Sequence, residues 1–205
     1  DEMQDIETIR SLFVDNVQFK HFVDGQCPAR RAAFITMHGG AYGTFKINEA
    51  LDQRCINGIF QPGKEYKVWV RFSSDVPYER SEKKSTVGIG IKLFNVPGVN
   101  ILDNETWPGT GDIQGSPATN VDFTLQNYPV FFARDAKQMA AFKTAAVNGT
   151  LNEFLEVEDN KKLGTILDAM AQQVNSVLDP EYWSCIPFKL GSNRHCKYIL
   201  SPSVL

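Results

Sequence analysis

Apolar and polar residues alternate with a period of two in three separate stretches of the chain, and this alternation predicts strands with one buried and one polar-capable face. In residues 64–74, Tyr66, Val68, Val70 and Phe72 alternate with Lys67, Trp69, Arg71 and Ser73. Residues 85–94 repeat the pattern around Gly88 and Gly90, and in residues 121–126 Val121, Phe123 and Leu125 alternate with Asp122, Thr124 and Gln126. Residues 31–47 read as a further long extended segment. Its Gly39, Gly40 and Gly43 predict a bulge or a place where another group approaches the backbone. Helical spacing takes over elsewhere. Ile6, Ile9, Leu12, Phe13 and Val17 predict an amphipathic helix over residues 6–22, ended by Gly25 and Pro28. Residues 131–148 read as a second helix opened by Arg134-Asp135. Residues 161–178 read as a third, with Leu163, Ile166, Leu167, Met170, Val174 and Val177 as its core stripe. Residues 184–190 and 195–200 predict a closing hairpin, and the Gly-, Pro-, Asp- and Asn-rich residues 100–120 a long loop.

A helix, antiparallel strands, two helices and a final hairpin give an α+β order around an antiparallel sheet or barrel. The order is not βαβ. A dinucleotide-binding crevice is therefore excluded, and Gly39-Gly40-Ala41-Tyr42-Gly43 lacks the glycine spacing of a pyrophosphate cradle.

At 205 residues, with 42% hydrophobic and 22% charged positions, the chain suits one domain over residues 1–205 with a single substantial core. A net charge of -3 supplies no basic field for nucleic acid. No apolar run approaches the ~20 residues of a membrane span, and Asp1-Glu2-Met3-Gln4-Asp5 has neither region of a signal peptide. The four cysteines, Cys27, Cys55, Cys185 and Cys196, form no CxxC pair. Cys185 and Cys196 flank the predicted hairpin and could meet as a disulfide; free, hydrophobe-like thiols are the preferred reading.

Residues 126–135, Gln-Asn-Tyr-Pro-Val-Phe-Phe-Ala-Arg-Asp, resemble the segment of haem catalases that carries a distal-pocket amide into Pro-Val-Phe-Phe-x-Arg-Asp and a helix. Other segments agree in order. Gly40-Ala41-Tyr42-Gly43-Thr44-Phe45 is similar to the family's first barrel strand, and Val70-Arg71-Phe72-Ser73-Ser74 to its Val-Arg-Phe-Ser strand. Val87-Gly88-Ile89-Gly90-Ile91-Lys92-Leu93-Phe94 resembles Arg-Gly-Leu-Ala-Ile-Lys-Leu-Phe, with Val87 in place of the usual arginine. Pro187-Phe188-Lys189-Leu190-Gly191 and Lys197-Tyr198 resemble the hairpin of the smaller catalase-related proteins. The resemblance implies an α+β fold, a catalase-like antiparallel β-barrel with flanking helices, and haem as cofactor.

It also implies roles for individual residues. Arg31 and Arg71 match arginines that pair with haem propionates, a use suited to a guanidinium's fixed fork. Ser73 matches the serine that orients the distal histidine; of the adjacent rings Phe131 and Phe132 at the strand-to-helix corner, core is the preferred reading for both, with Phe131 the one assigned to the cofactor pocket. The distal amide is Gln126 or Asn127, depending on the spacing counted back from Pro129, with Asn127 preferred. The catalytic histidine itself is absent: the Arg-x-x-His register puts Phe34 in its place, and counting from the glycines puts Ile35 there. His38 lies at an odd offset and reads as structural or surface. The family's axial tyrosine, in an Arg-x-x-x-Tyr context beyond the matched segments, has no counterpart.

These departures lead to a catalase-like haem-protein domain whose peroxide or hydroperoxide chemistry is lost or altered. The axial tyrosine would come from a second chain or a further C-terminal segment, and homo-oligomers are the family's habit. The alternative is a non-catalytic barrel that binds a small apolar ligand or serves as a structural module without haem. A pocket bordered by Phe34, Ile35 and Phe131 suits an apolar ligand in either case.

Overall fold

The three period-two stretches and the extended segment before them become the four strands of an antiparallel ladder in the computed structural model, which describes residues 1–27, 31–75, 84–96 and 120–203. Strands β1 (Thr36–Lys46), β2 (Glu65–Ser74), β3 (Val87–Phe94) and β4 (Val121–Gln126) pair in sequence order. The short strands β5 (Tyr182–Ser184) and β8 (Ile199–Leu200) extend them to a curled six-stranded half-barrel, while β6 (Phe188–Leu190) and β7 (Arg194–Cys196) pair separately. This is the expected α+β architecture of an antiparallel barrel sheet with flanking helices.

The register assigns side chains to faces. Ala41, Val70, Ile91 and Phe123 align across the four strands on one face, and Gly43, Val68, Leu93 and Val121 form the next row. These rows join Tyr66, Ile89, Leu125 and Tyr182 in the core, where Leu93 is 0% exposed. Phe45, Phe60, Phe123 and Tyr198 close that core with ring contacts of 5.0 to 6.4 Å between centroids. The cysteines are free, as the sequence suggested.

Helices lie beside the sheet. The N-terminal one runs through α1 (Glu2–Arg10), a π-helical stretch (Ser11–Phe19) and α2 (Lys20–Val23), starting four residues earlier than its apolar spacing indicates because Asp1 caps it by accepting from the Gln4 N–H at 2.9 Å. It packs on α3 (Ala136–Asn148). α3 begins at Ala136 and not at Phe131: the Asp135 carboxylate accepts from the Gln138 N–H at 2.8 Å, and the Gln138 side chain accepts from the Arg134 N–H at 3.1 Å, a reciprocal cap that fixes the start. Gly149, at φ 75°, closes α3 in a left-handed turn.

Three sequence expectations need correction. α4 (Leu151–Glu156) arises between the two expected helices, in a stretch too short to show a period. The third helix, α5, is Glu158–Met170 and does not reach residue 178; Val174 and Val177 still pack on the core, from non-helical backbone. The final segment is also divided differently, with β5 pairing β8 and the hairpin confined to β6 and β7 around Gly191 at φ 70°. The expected loop over residues 100–120 lies outside the described residues, apart from Asn120.

Truncating the most enclosed side chain of the ladder, Leu93→Ala, is expected to cost about 2–5 kcal/mol in urea unfolding. Asp135→Ala, which removes a cap, should cost about 1 kcal/mol, and Lys67→Ala on the exposed face should stay within about 0.5 kcal/mol. A Leu93→Ala cost no greater than that of Lys67→Ala would show that the core lies elsewhere.

Candidate functional site

The second face of the ladder is built from the residues that alternate with the core. Tyr42, Trp69, Lys92 and Asp122 align in one row, Gly40, Arg71, Gly90 and Thr124 in the next, and Ser73, Gly88 and Gln126 in a third. Glycine recurs at the middle of these rows, so the sheet presents a bare floor between larger side chains. A pocket of about 870 Å³ opens on this floor. Trp69, Tyr42 and Phe94 bound it at one end, with Trp69 and Phe94 edge to face at 6.5 Å, and Lys92 and Asp122 form an ion pair of 2.8 Å on its wall.

Arg31, Ala33 and Phe34 bound the other end, without Ile35, and here the strand expected over residues 31–47 is shorter: β1 begins at Thr36. Phe34 departs from strand geometry altogether, with φ 48°. A bulky residue in the left-handed region is a true outlier, and its surroundings hold it there. Its N–H donates to Asp75 Oδ1 at 2.9 Å, and its carbonyl accepts from Arg71 Nη2 at 2.9 Å. The ring lies over Gly88, where a Cβ would come within 2.5 Å of Phe34 Cε1, so only glycine admits the ring at this seat. Ser73, in the same row, is buried and donates to the Gly88 carbonyl at a long 3.4 Å.

Arg31 and Arg71 share this end of the pocket. Burial, and then the neighbouring Arg31 charge, push the Arg71 guanidinium below its ordinary value, and no carboxylate among the described residues pairs with either arginine. Two cations with no carboxylate partner among the described residues are a donor set suited to an anion. Behind Phe34, Asp75 is pushed up by burial, against the opposing pull of the Phe34 N–H and the Lys143 charge. Lys143, on α3, is pushed down by burial and lies 4.5 Å from the Phe13 ring centroid.

The structure thus brings together four of the six residues singled out from sequence, Arg31, Phe34, Arg71 and Ser73, and leaves two apart. Asn127 is 3% exposed; its Oδ1 accepts from the Val87 N–H at 3.0 Å and its Nδ2 has no partner among the described residues. It does not line the pocket, and neither does Gln126, whose Nε2 donates to the Val130 carbonyl at 3.3 Å. Phe131 is also absent from the lining: its ring meets Phe132 at 4.7 Å, and Phe132 continues to Phe142 at 5.0 Å, so the pair points into the helical layer. His38 sits at the β1 bulge and shares a 2.8 Å hydrogen bond with Ser74 Oγ. Sequence reasoning missed Asp75 and Lys143, which carry no motif, and the floor role of Gly88 and Gly90, whose spacing of two in a strand was the available signal.

No model of a known protein family and no curated protein matches the chain. Solved structures do. A fungal catalase matches 80% of the chain at 22% identity with a TM-score of 0.53, over 31% of its own length. Catalase A from Saccharomyces cerevisiae matches 80% at 20% identity with a TM-score of 0.51, over 32% of its length. A bacterial catalase matches 80% at 20% identity and TM-score 0.51, over 30% of its length. The matched region spans about a third of each of these catalases, and the fold of this chain is catalase-like.

Proposed function

We propose that this chain is a catalase-like haem-binding domain whose peroxide or hydroperoxide chemistry is lost or altered. The observation that carries the reading is the pair Arg31 and Arg71, without a carboxylate partner among the described residues, at one end of an apolar pocket with a glycine floor. A planar apolar group ending in two carboxylates fits this donor set: the floor around Gly40 and Gly90 takes the flat body, and the two guanidinium groups take the acids. Haem is such a group, and when bound it supplies redox-active iron.

The residues present then limit the chemistry. Phe34 puts a hydrocarbon ring over Gly88, and a hydrocarbon ring neither accepts nor returns a proton, so general acid-base transfer is unavailable from this position. Ser73 loses its orienting role with it and bonds the backbone instead. Asn127 lies outside the lining with its Oδ1 on the Val87 N–H, so it reaches a bound group as the distal amide only if its buried Nδ2 is turned toward the pocket. Phe131 contributes through Phe132, as packing behind the pocket. The iron's protein ligand is the open part of the site. Tyr66 and Tyr182 donate their hydroxyls to the Ile59 and Val177 carbonyls and Tyr198 packs in the core, while Tyr42, 87% exposed, lines the pocket. A tyrosine from a partner chain, or from chain beyond these residues, would complete the arrangement, and an oligomer would provide for it.

A second reading is favoured by the lining itself, which among the described residues contains neither histidine nor cysteine: the half-barrel holds a small apolar ligand, without haem.

Titration of the purified protein with hemin should produce a Soret band, and Arg31→Ala with Arg71→Ala together should weaken hemin uptake at least tenfold, the loss of two charge-assisted contacts. Protein that stays colourless supports the apolar-ligand reading. Hydrogen peroxide added to the hemin-loaded protein should release oxygen at no more than the rate of free hemin; vigorous evolution would falsify the loss of the distal acid-base function.

A further inference from the structure

Phe34 combines three independent observations. Its backbone is strained at φ 48°, its carbonyl holds Arg71 at 2.9 Å, and its ring fills the space that a side chain at position 88 would need. Strain of this kind persists only where the surroundings over-determine it, as they do at ligand clamps. Here Asp75 holds the residue from the amide side and Arg71 from the carbonyl side.

The direction of the ring gives the strain a use. Arg71 stands in the row with Gly40 and Gly90, whereas Phe34 covers the neighbouring row that contains Ser73 and Gly88. A carboxylate seated on Arg31 and Arg71 therefore meets the ring immediately on one side. On the other side it has open floor, since a Cβ built at Gly90 meets nothing within 4 Å, and beyond that the Trp69, Tyr42 and Phe94 wall.

We propose that Phe34 is the specificity-determining residue of this pocket, a size gauge at the anion anchor that admits carboxylates with a slim or flat apolar body directed over Gly40 and Gly90 and rejects those that are bulky next to the acid group. The ligand class is an amphipathic carboxylate, with haem as one member. The proposal rests on the arginine-anchored pocket of the preceding reading but does not require iron. It assigns Phe34 no part in proton transfer. The residue acts by exclusion, and by holding one guanidinium in place through its own backbone.

Isothermal titration calorimetry of the purified protein with decanoate, which is slim, and adamantane-1-carboxylate, which is bulky at the acid group, tests this. The wild type should prefer decanoate. Phe34→Ala, which empties the space over Gly88 and Ser73, should shift the affinity ratio toward adamantane-1-carboxylate by about tenfold, the scale at which apolar pockets discriminate by size. Gly88→Ala should shift the ratio the other way, because its Cβ lifts the ring from its seat toward the anchor. Phe34→Ala added to Gly88→Ala should cancel that effect. Arg31→Ala with Arg71→Ala should weaken both ligands at least tenfold. If Phe34→Ala does not fold, Phe34→Leu and Gly88→Ala carry the test, since each alters the ring's seat by itself.

Equal wild-type affinities, no binding of either carboxylate, or a ratio unmoved by both Phe34 and Gly88 substitutions would each overturn the gauge. The haem reading fails separately. A Soret band with an unmoved carboxylate ratio sinks the gauge and keeps haem, whereas a shifted ratio in protein that takes up no hemin does the reverse.

Discussion

The antiparallel register of β1 to β4 is the constraint on which the rest depends, because it alone decides which side chains enter the core and which face the pocket. The pairing of Val68 with Leu93 and of Val70 with Ile91 sends aliphatic residues to one side. The same pairing necessarily sends Trp69, Arg71 and Ser73 to the other, opposite Lys92, Gly90 and Gly88. A slip of one residue would put Arg71 among the core aliphatics and Val70 on the pocket floor, so the cost of burying an unpaired guanidinium protects the site as much as the core. Packing and function are thus written into one ladder, on alternate positions.

Glycine placement turns that face from a surface into a pocket. A strand usually avoids glycine, since it packs nothing and loses the most backbone freedom on folding. β3 carries two, both on the pocket face, where they leave room beside Arg71 and Ser73. One of these spaces is taken up again by Phe34, which reaches it only through left-handed backbone. The other stays open. The pocket is therefore asymmetric about Arg71, closed over Gly88 and clear over Gly90, and the Asp75 carboxylate sustains the asymmetry from behind by holding the Phe34 N–H. Asp75 in turn feels the charge of Lys143 on α3, so the helical layer acts electrostatically on the residue that holds Phe34.

What the sequence disclosed follows the range of its forces. β2, β3 and β4 were legible because alternation is a local pattern, and β1 as an extended stretch marked by glycines, whereas the helix read back to Phe131 starts only where Asp135 and Gln138 cap it. Arg31, Phe34, Arg71 and Ser73 could be grouped from their resemblance to catalases, and the fold gathers them at one end of the pocket. Asn127 and Phe131 could not be placed from sequence, since the turn after β4 sends the Asn127 side chain to the Val87 amide and the Phe131 ring to Phe132. Neither contact has a local signal. Asp75 and Lys143 were invisible for the same reason, as their meaning comes from contacts with residues 41 and 68 positions away in the chain. The break of α5 at Met170 was hidden by an opposite effect, for Val174 and Val177 continue the apolar spacing while packing on the core without a helix.

The likeness to catalases fixes the scaffold and leaves the chemistry to the site. A distal base must be able to exchange a proton, and on the proposed reading its place is taken by Phe34, whose ring is locked by two backbone hydrogen bonds and seated on Gly88. Simple decay of an unused site predicts a side chain freed to relax, with its backbone returned to an ordinary region. Phe34 instead occupies a costly conformation whose carbonyl orients one of the two arginines that give the pocket its positive end. Strain maintained at the anion anchor argues that the pocket still selects a ligand, with exclusion by an aromatic ring standing where proton transfer would otherwise be.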